Sequence, residues 1–143
     1  MSLQTGANSR WLRLALGSLI VAALAAACAP APAFELNNTK WALVAINGQP
    51  VPAKTQATIE FKDGNVGGNA GCNNYGGKYR LEGDKLMLPD PIASTLMACF
   101  EDRMSVEQTL LAALQSNPSA AMQNGQLVLT GDDGTTLTFI PQP

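Results

Sequence analysis

The sequence predicts an α+β fold: a curved antiparallel sheet or open (cracked) β-barrel of about seven to eight short strands packed on one α-helix. Three observations lead there. Short runs rich in β-formers alternate with turn residues. Only one stretch, from Phe100 to Pro118, carries apolar residues at helical spacing. That helix has a single apolar stripe, which needs a sheet face to bury it.

The elements follow in order. Thr39–Gly48 alternates as a first strand, with Trp41, Leu43 and Ala45 on one face and Ala42, Val44 and Ile46 on the other. Gly48, Pro50 and Pro52 mark a loop. Ala57–Lys62 is a second strand with Ile59 and Phe61 inward, and Asp63–Gly64 turns the chain. The glycine-rich run from Val66 reads as a weak, bent strand. Next comes a hairpin, with Tyr79 and Leu81 on one arm, Leu86 and Leu88 on the other. Asp90–Cys99 reads equally as a short strand or an irregular connection. In the helix, Val106, Leu110, Leu111 and Leu114 form the stripe. Glu101 and Asp102 favour its N-terminal end, and Asn117–Pro118 stop it. Leu127 and Leu129, a Gly-Asp-Asp-Gly turn, then Leu137 and Phe139 make a final hairpin. Trp41, Met97 and Met104 are expected to be packing residues.

The N-terminus is expected to be an address rather than part of the fold. Arg10 and Arg13 are the only charges before Glu35, and an apolar, alanine-rich run follows them, ending at Cys28. This is the layout of a secretory signal. The run is shorter than the roughly 20 apolar residues of a spanning helix. The stretch "LAAAC" resembles the lipobox of bacterial lipoproteins, in which the cysteine is acylated and becomes the first residue. Ala25 stands where leucine is usual, and ordinary cleavage after an A-x-A site is the competing outcome. The expected division is a lipoprotein signal peptide at 1–27, a lipidated N-terminus and tether at 28–38, and a folded domain at 39–141.

Composition narrows the chemistry. Across the 143 residues there is no histidine, so the commonest base, metal ligand and nucleophile partner is missing. Net charge is −2 with no basic run, which argues against nucleic acid as a partner. Of three cysteines, lipidation at Cys28 leaves Cys72 and Cys99 as an even pair in an exported protein. Such a pair is usually a disulfide, and closing that loop would contribute roughly 3–4 kcal/mol.

The segment "GCNNYGGKY", Gly71–Tyr79, poses the main functional question. A phosphate loop would need Ser or Thr after its lysine and a following helix, and neither is present. A zinc site would need about four ligands. A thiol nucleophile at Cys72 would have Lys78 or Arg80 to lower its pKa but no imidazole to move protons. Asn73, Asn74 and Tyr75 read either as turn chemistry or as a binding loop.

Taken together, "WALVAINGQP" (Trp41–Pro50), "GNAGCNNYGGKY" (Gly68–Tyr79), "ASTLMAC" (Ala93–Cys99) and the helix with "VEQTLLAAL" resemble the META domain, or HslJ-like, family. The resemblance spans about residues 38–140. Leu96 departs from it, because a basic residue is common there. The resemblance implies a small bacterial domain, often secreted or lipid-anchored. Relatives are linked to heat shock, novobiocin resistance or virulence. It also implies an open antiparallel β-structure around a helix, akin to a pilotin-type lipoprotein, with no established catalytic activity. Cys72 and Cys99 match the motif cysteines, Asn73 the motif asparagine, Gly71 and Gly77 the turn glycines, and Thr95 and Met97 the second motif.

The expected protein is therefore a non-enzymatic, lipid-anchored envelope module of the stress-response kind, without cofactor or metal. It would sit at the membrane through its N-terminal lipid, on the periplasmic face of the outer membrane in a Gram-negative cell. An apolar ligand or an envelope protein would bind in a cleft between sheet and helix. The alternatives are a pilotin-like chaperone for an envelope or secreted partner, and a thiol-dependent enzyme using Cys72.

Overall fold

The computed structural model describes residues 35–143; Cys28 and the expected signal peptide lie outside them. Among the described residues, eleven strands form one antiparallel sheet, with a single helix. They are β1 (Thr39–Ile46), β2 (Gln49–Pro50), β3 (Thr58–Lys62), β4 (Asn65–Asn69), β5 (Asn74–Lys78), β6 (Arg80–Glu82), β7 (Lys85–Met87) and β8 (Ala93–Ser94), then α1 (Glu101–Gln115), then β9 (Ser119–Gln123), β10 (Gln126–Thr130) and β11 (Thr136–Pro141). The spatial order is β6-β7-β9-β10-β11-β1-β3-β4-β5-β8, with β2 beside β1.

That order explains the curl. Tyr79 alone joins β5 to β6, yet the two strands lie near opposite ends of the hydrogen-bonded order. The sheet must bend round until its far ends are covalent neighbours, which gives a half-barrel. Tight turns set the register. Asn47-Gly48, Asp63-Gly64 and Asn124-Gly125 each hold two successive residues at positive φ, the pattern of two-residue hairpin turns whose twist matches that of the flanking strands.

Two sequence expectations change here. The strand count is higher than seven or eight, because β2 and β8 are two-residue pairings and β9 reads poorly as a strand. "SAAMQ" has no β-branched or aromatic residue. It is held instead by the Asn124-Gly125 turn and a full ladder to β10. In β1, Trp41 and Leu43 are buried as expected, but the pairing with β11 slips between Leu43 and Ala45. The bulge flips the alternation, so Ile46, not Ala45, packs on the core.

The core is one cluster. Ile59, Phe61, Leu86, Leu127, Leu129, Leu137 and Phe139 from the sheet meet Leu110 and Leu114 from α1, all fully buried. Leu36 is buried in the same cluster, and Asn37 accepts a hydrogen bond from the Asp63 N–H (2.8 Å). The folded domain therefore includes residues that the sequence assigned to the tether.

Close approach fixes one glycine. Gly68 has φ +154°, and a Cβ there would lie 2.3 Å from the Thr58 carbonyl oxygen of the neighbouring strand. Gly68→Ala is expected to cost at least about 2–3 kcal/mol, because the obstacle is backbone and cannot rotate away. Urea unfolding followed by Trp41 fluorescence would measure it; an unchanged midpoint would contradict this packing.

Candidate functional site

The "GCN" stretch is the turn between β4 and β5, and it sits against the first turn of α1. Asn69 Oδ1 accepts from the Gly71 N–H (2.8 Å), and the Ala70 N–H donates to the Asn73 carbonyl (2.7 Å). Gly71 has φ +113°, and a Cβ there would meet Thr55 Cγ2 at 2.9 Å and the Arg103 carbonyl at 3.2 Å. Arg103 Nε donates to the Gly71 carbonyl (2.6 Å), tying helix to turn.

Asn73 is the centre of the arrangement. It is only 2% exposed, and every polar group it has is paired. Its Nδ2 donates to Glu107 Oε1 (2.9 Å) and to the Met97 carbonyl (3.2 Å). Its Oδ1 accepts from the Thr95 hydroxyl (2.8 Å) and the Met97 N–H (2.7 Å). Its backbone N–H donates to Glu107 Oε2 (2.6 Å). One amide thus uses both donors and both lone pairs to join three segments that are distant in sequence. Glu107 lies on the buried face of α1 beside Val106 and Leu110, with both carboxylate oxygens engaged by Asn73.

The sulfurs complete the joint. Cys72 and Cys99 form a disulfide, with an S–S distance of 2.03 Å and Cα atoms 5.8 Å apart. Between the Asn73 clamp and the disulfide, residues 95–100 are held at the surface. Leu96 is 96% exposed, Phe100 83% and Met97 54%. Met97, expected as packing, instead uses its backbone for the clamp and leaves its side chain half in water.

The other expected residues separate. Asn73 and Tyr75 are interior, and only Asn74 reaches the surface, so these three do not form an exposed binding loop. Cys72 is 1% exposed and bonded, with no thiol in this state. The expected apolar cleft between sheet and helix is filled by the stripe of α1. A surface depression of about 560 Å³ lies over β1 and the 51–58 loop, lined by Ala42, Val44, Val51 and Pro52 and reaching Asn69 and Arg103 at the edge of the turn. Among the described residues, no group of Cys, Asp or Glu is placed to hold a metal ion.

Sequence reasoning missed Glu107 and Arg103. The available signal was a carboxylate at a stripe position, three residues before Leu110 and seven before Leu114, with a cation one turn earlier.

The two tyrosines offer a check on the burial. The Tyr75 hydroxyl donates to the Thr58 carbonyl (3.0 Å), and burial drives its phenol far above its ordinary value. Tyr79 is held above its ordinary value too, first by partial burial and then by the Glu35 and Asp63 carboxylates. A phenol that binds its proton more tightly folded than unfolded adds stability below the unfolded pKa of about 10, and that stability is lost as pH rises beyond it. In an absorbance titration, Tyr79 is expected to ionise first and Tyr75 only as the protein unfolds. Two tyrosines ionising together near pH 10 in folded protein would contradict this burial.

The class is thus a disulfide-braced α+β half-barrel with one helix at its core. The chain belongs to the META domain family, whose model matches residues 34–143. Solved structures show the same architecture. A protein from Burkholderia xenovorans, solved by NMR, is 29% identical with a TM-score of 0.64, covering 75% of this chain and 83% of its own. A second NMR structure is 25% identical with a TM-score of 0.64, covering 73% and 90%. The crystal structure of a DUF4847 family protein from Bacteroides vulgatus, at 18% identity and a TM-score of 0.50, covers 73% and 93% and shares the fold alone. None of the curated proteins compared matches the chain.

Proposed function

We propose that this protein is a non-enzymatic, lipid-anchored domain of the cell envelope that binds a protein partner through the braced loop at residues 95–100. The observation that carries this is the exposure of Leu96, Met97 and Phe100 on a segment fixed by a disulfide and a fully paired buried amide. Clustered exposed apolar side chains mark interaction sites, and here three fall within five residues of a segment that is held rigid rather than left to fray. The engagement of Cys72 and Glu107 in the brace supports a binding role over a thiol enzyme. The signal-like run ending at Cys28 supports export and anchoring. An escort role for an envelope or secreted protein is the second reading, and the same exposed loop favours it.

The test is photo-crosslinking in cells from position 96, with the exposed β9 residue Gln123 as control. A discrete protein adduct from position 96 only is expected. No adduct, or the same adducts from both positions, would contradict the proposal. Intact mass of the mature protein reports the anchor: acylated Cys28 and the mass deficit of one disulfide are expected, against an uncleaved chain with free thiols.

A further inference from the structure

The loop is also one edge of the sheet. Among the described residues β8 ends the strand order, pairing with β5 on one side only. The Thr95 N–H donates inward to the Asn74 carbonyl (3.0 Å), and the Met97 N–H donates inward to Asn73 Oδ1. In an antiparallel edge the backbone groups alternate, so Ser94 turns its own outward, and beyond β8 the Leu96 N–H, between the inward N–H groups of Thr95 and Met97, has no partner among the described residues. Residues 93–98 are all exposed, and no proline interrupts them. Sheet edges are normally blunted by charge, proline or cover. Here β8 is only two residues long and Pro91 precedes it, but the segment that continues it carries exposed leucine and methionine, and both ends of that stretch are acidic: Asp90 before it, Glu101 and Asp102 after it, all exposed. Arg103, the nearest cation in sequence, is turned inward to the Gly71 carbonyl.

We infer that the edge formed by residues 93–98 accepts an extended polypeptide segment as an added strand, and that the segment carries apolar side chains interspersed with lysine or arginine. This rests on the binding reading above and names its partner's chemistry. Added strands gain affinity from main-chain hydrogen bonds and specificity from side chains. Here the outward Ser94 and Leu96 groups supply the first, and Leu96, Met97 and the three carboxylates the second. The charge decides between occupants. A second copy paired antiparallel along this edge would bring Asp90 of one towards Glu101 and Asp102 of the other, so self-association is opposed. An anionic bilayer would meet the same carboxylates. Asn37 lies beside the Asp63-Gly64 turn at the start of β4, whereas the loop adjoins the β4–β5 turn at its other end, about 13 Å along β4.

The test titrates three probes into the oxidised, isotope-labelled protein: a short peptide alternating valine and lysine, its valine–glutamate counterpart, and anionic phospholipid vesicles. The lysine peptide is expected to bind at least about tenfold tighter than the glutamate peptide, with amide shifts centred on Ser94 and Leu96. Glu101→Gln and Asp102→Asn combined with Asp90→Asn should erase that preference. Leu96→Asp, at a fully exposed position that leaves the fold intact, should abolish binding. Equal binding of both peptides, shifts away from β8, vesicle binding in place of peptide binding, or a Leu96-dependent dimer would each overturn the inference. If position 96 crosslinks to a protein in cells but the lysine peptide fails, the inference falls while the binding reading stands. If neither occurs, both fall.

Discussion

Asn73→Ala is expected to destabilise the protein by about 3 kcal/mol or more. The substitution removes no apolar packing of note; its cost lies in what it leaves behind. Glu107 Oε1, the Met97 N–H and carbonyl and the Thr95 hydroxyl all lose their partner on the Asn73 amide. Each buried polar group left unpaired costs about 1–3 kcal/mol, although Thr95 and Met97 are near enough to water to recover part of theirs. Glu107 is the expensive member, because a buried carboxylate keeps only the Asn73 backbone N–H. Glu107→Gln should be milder, about 1–3 kcal/mol, since one of its two oxygens becomes a donor that faces a donor. Urea unfolding followed by the fluorescence of buried Trp41 ranks the two variants. Equal, small losses would mean that the clamp contributes little.

Removing the disulfide by the double change Cys72→Ala and Cys99→Ala is expected to cost about 3–4 kcal/mol, from the freedom the unfolded chain regains over a separation of 27 residues. In a domain of this size, that loss lowers the unfolding midpoint by roughly 15–20 °C. The two effects should not be additive. Disulfide and clamp hold the same loop, so losing one weakens the other, and a triple variant measures the coupling. Strict additivity would indicate that the brace is two independent features.

The parts of the fold legible in the sequence are those set by near neighbours. The helix bounds follow from the stripe at Val106, Leu110 and Leu114 and the stop at Asn117-Pro118. The β3–β4 turn follows from Asp63-Gly64, and Ile59, Phe61, Leu127, Leu129, Leu137 and Phe139 are buried as their alternation predicts. What is not legible depends on distant partners. β9 is a strand only because β10 lies beside it, and the bulge in β1 arises from its fit to β11. The role of Asn73 is hidden for the same reason. Alone it is an asparagine in a turn; its function depends on Met97 and Glu107, which lie 24 and 34 residues away. In sequence Leu96 stands out only as a departure from the family pattern and Phe100 only as the residue before the helix, and their exposure follows from the closure of the brace beneath them.

The most direct measurement is amide hydrogen exchange across residues 93–100 in oxidised protein. If the Gly71–Asn73 turn holds this loop rigid, the amides of Thr95 and Met97 and the Asn73 side-chain amide are protected to nearly the level of the core strands, while Ser94 and Leu96 between them exchange freely. Uniformly fast exchange through the whole segment would show a loose loop and contradict the account.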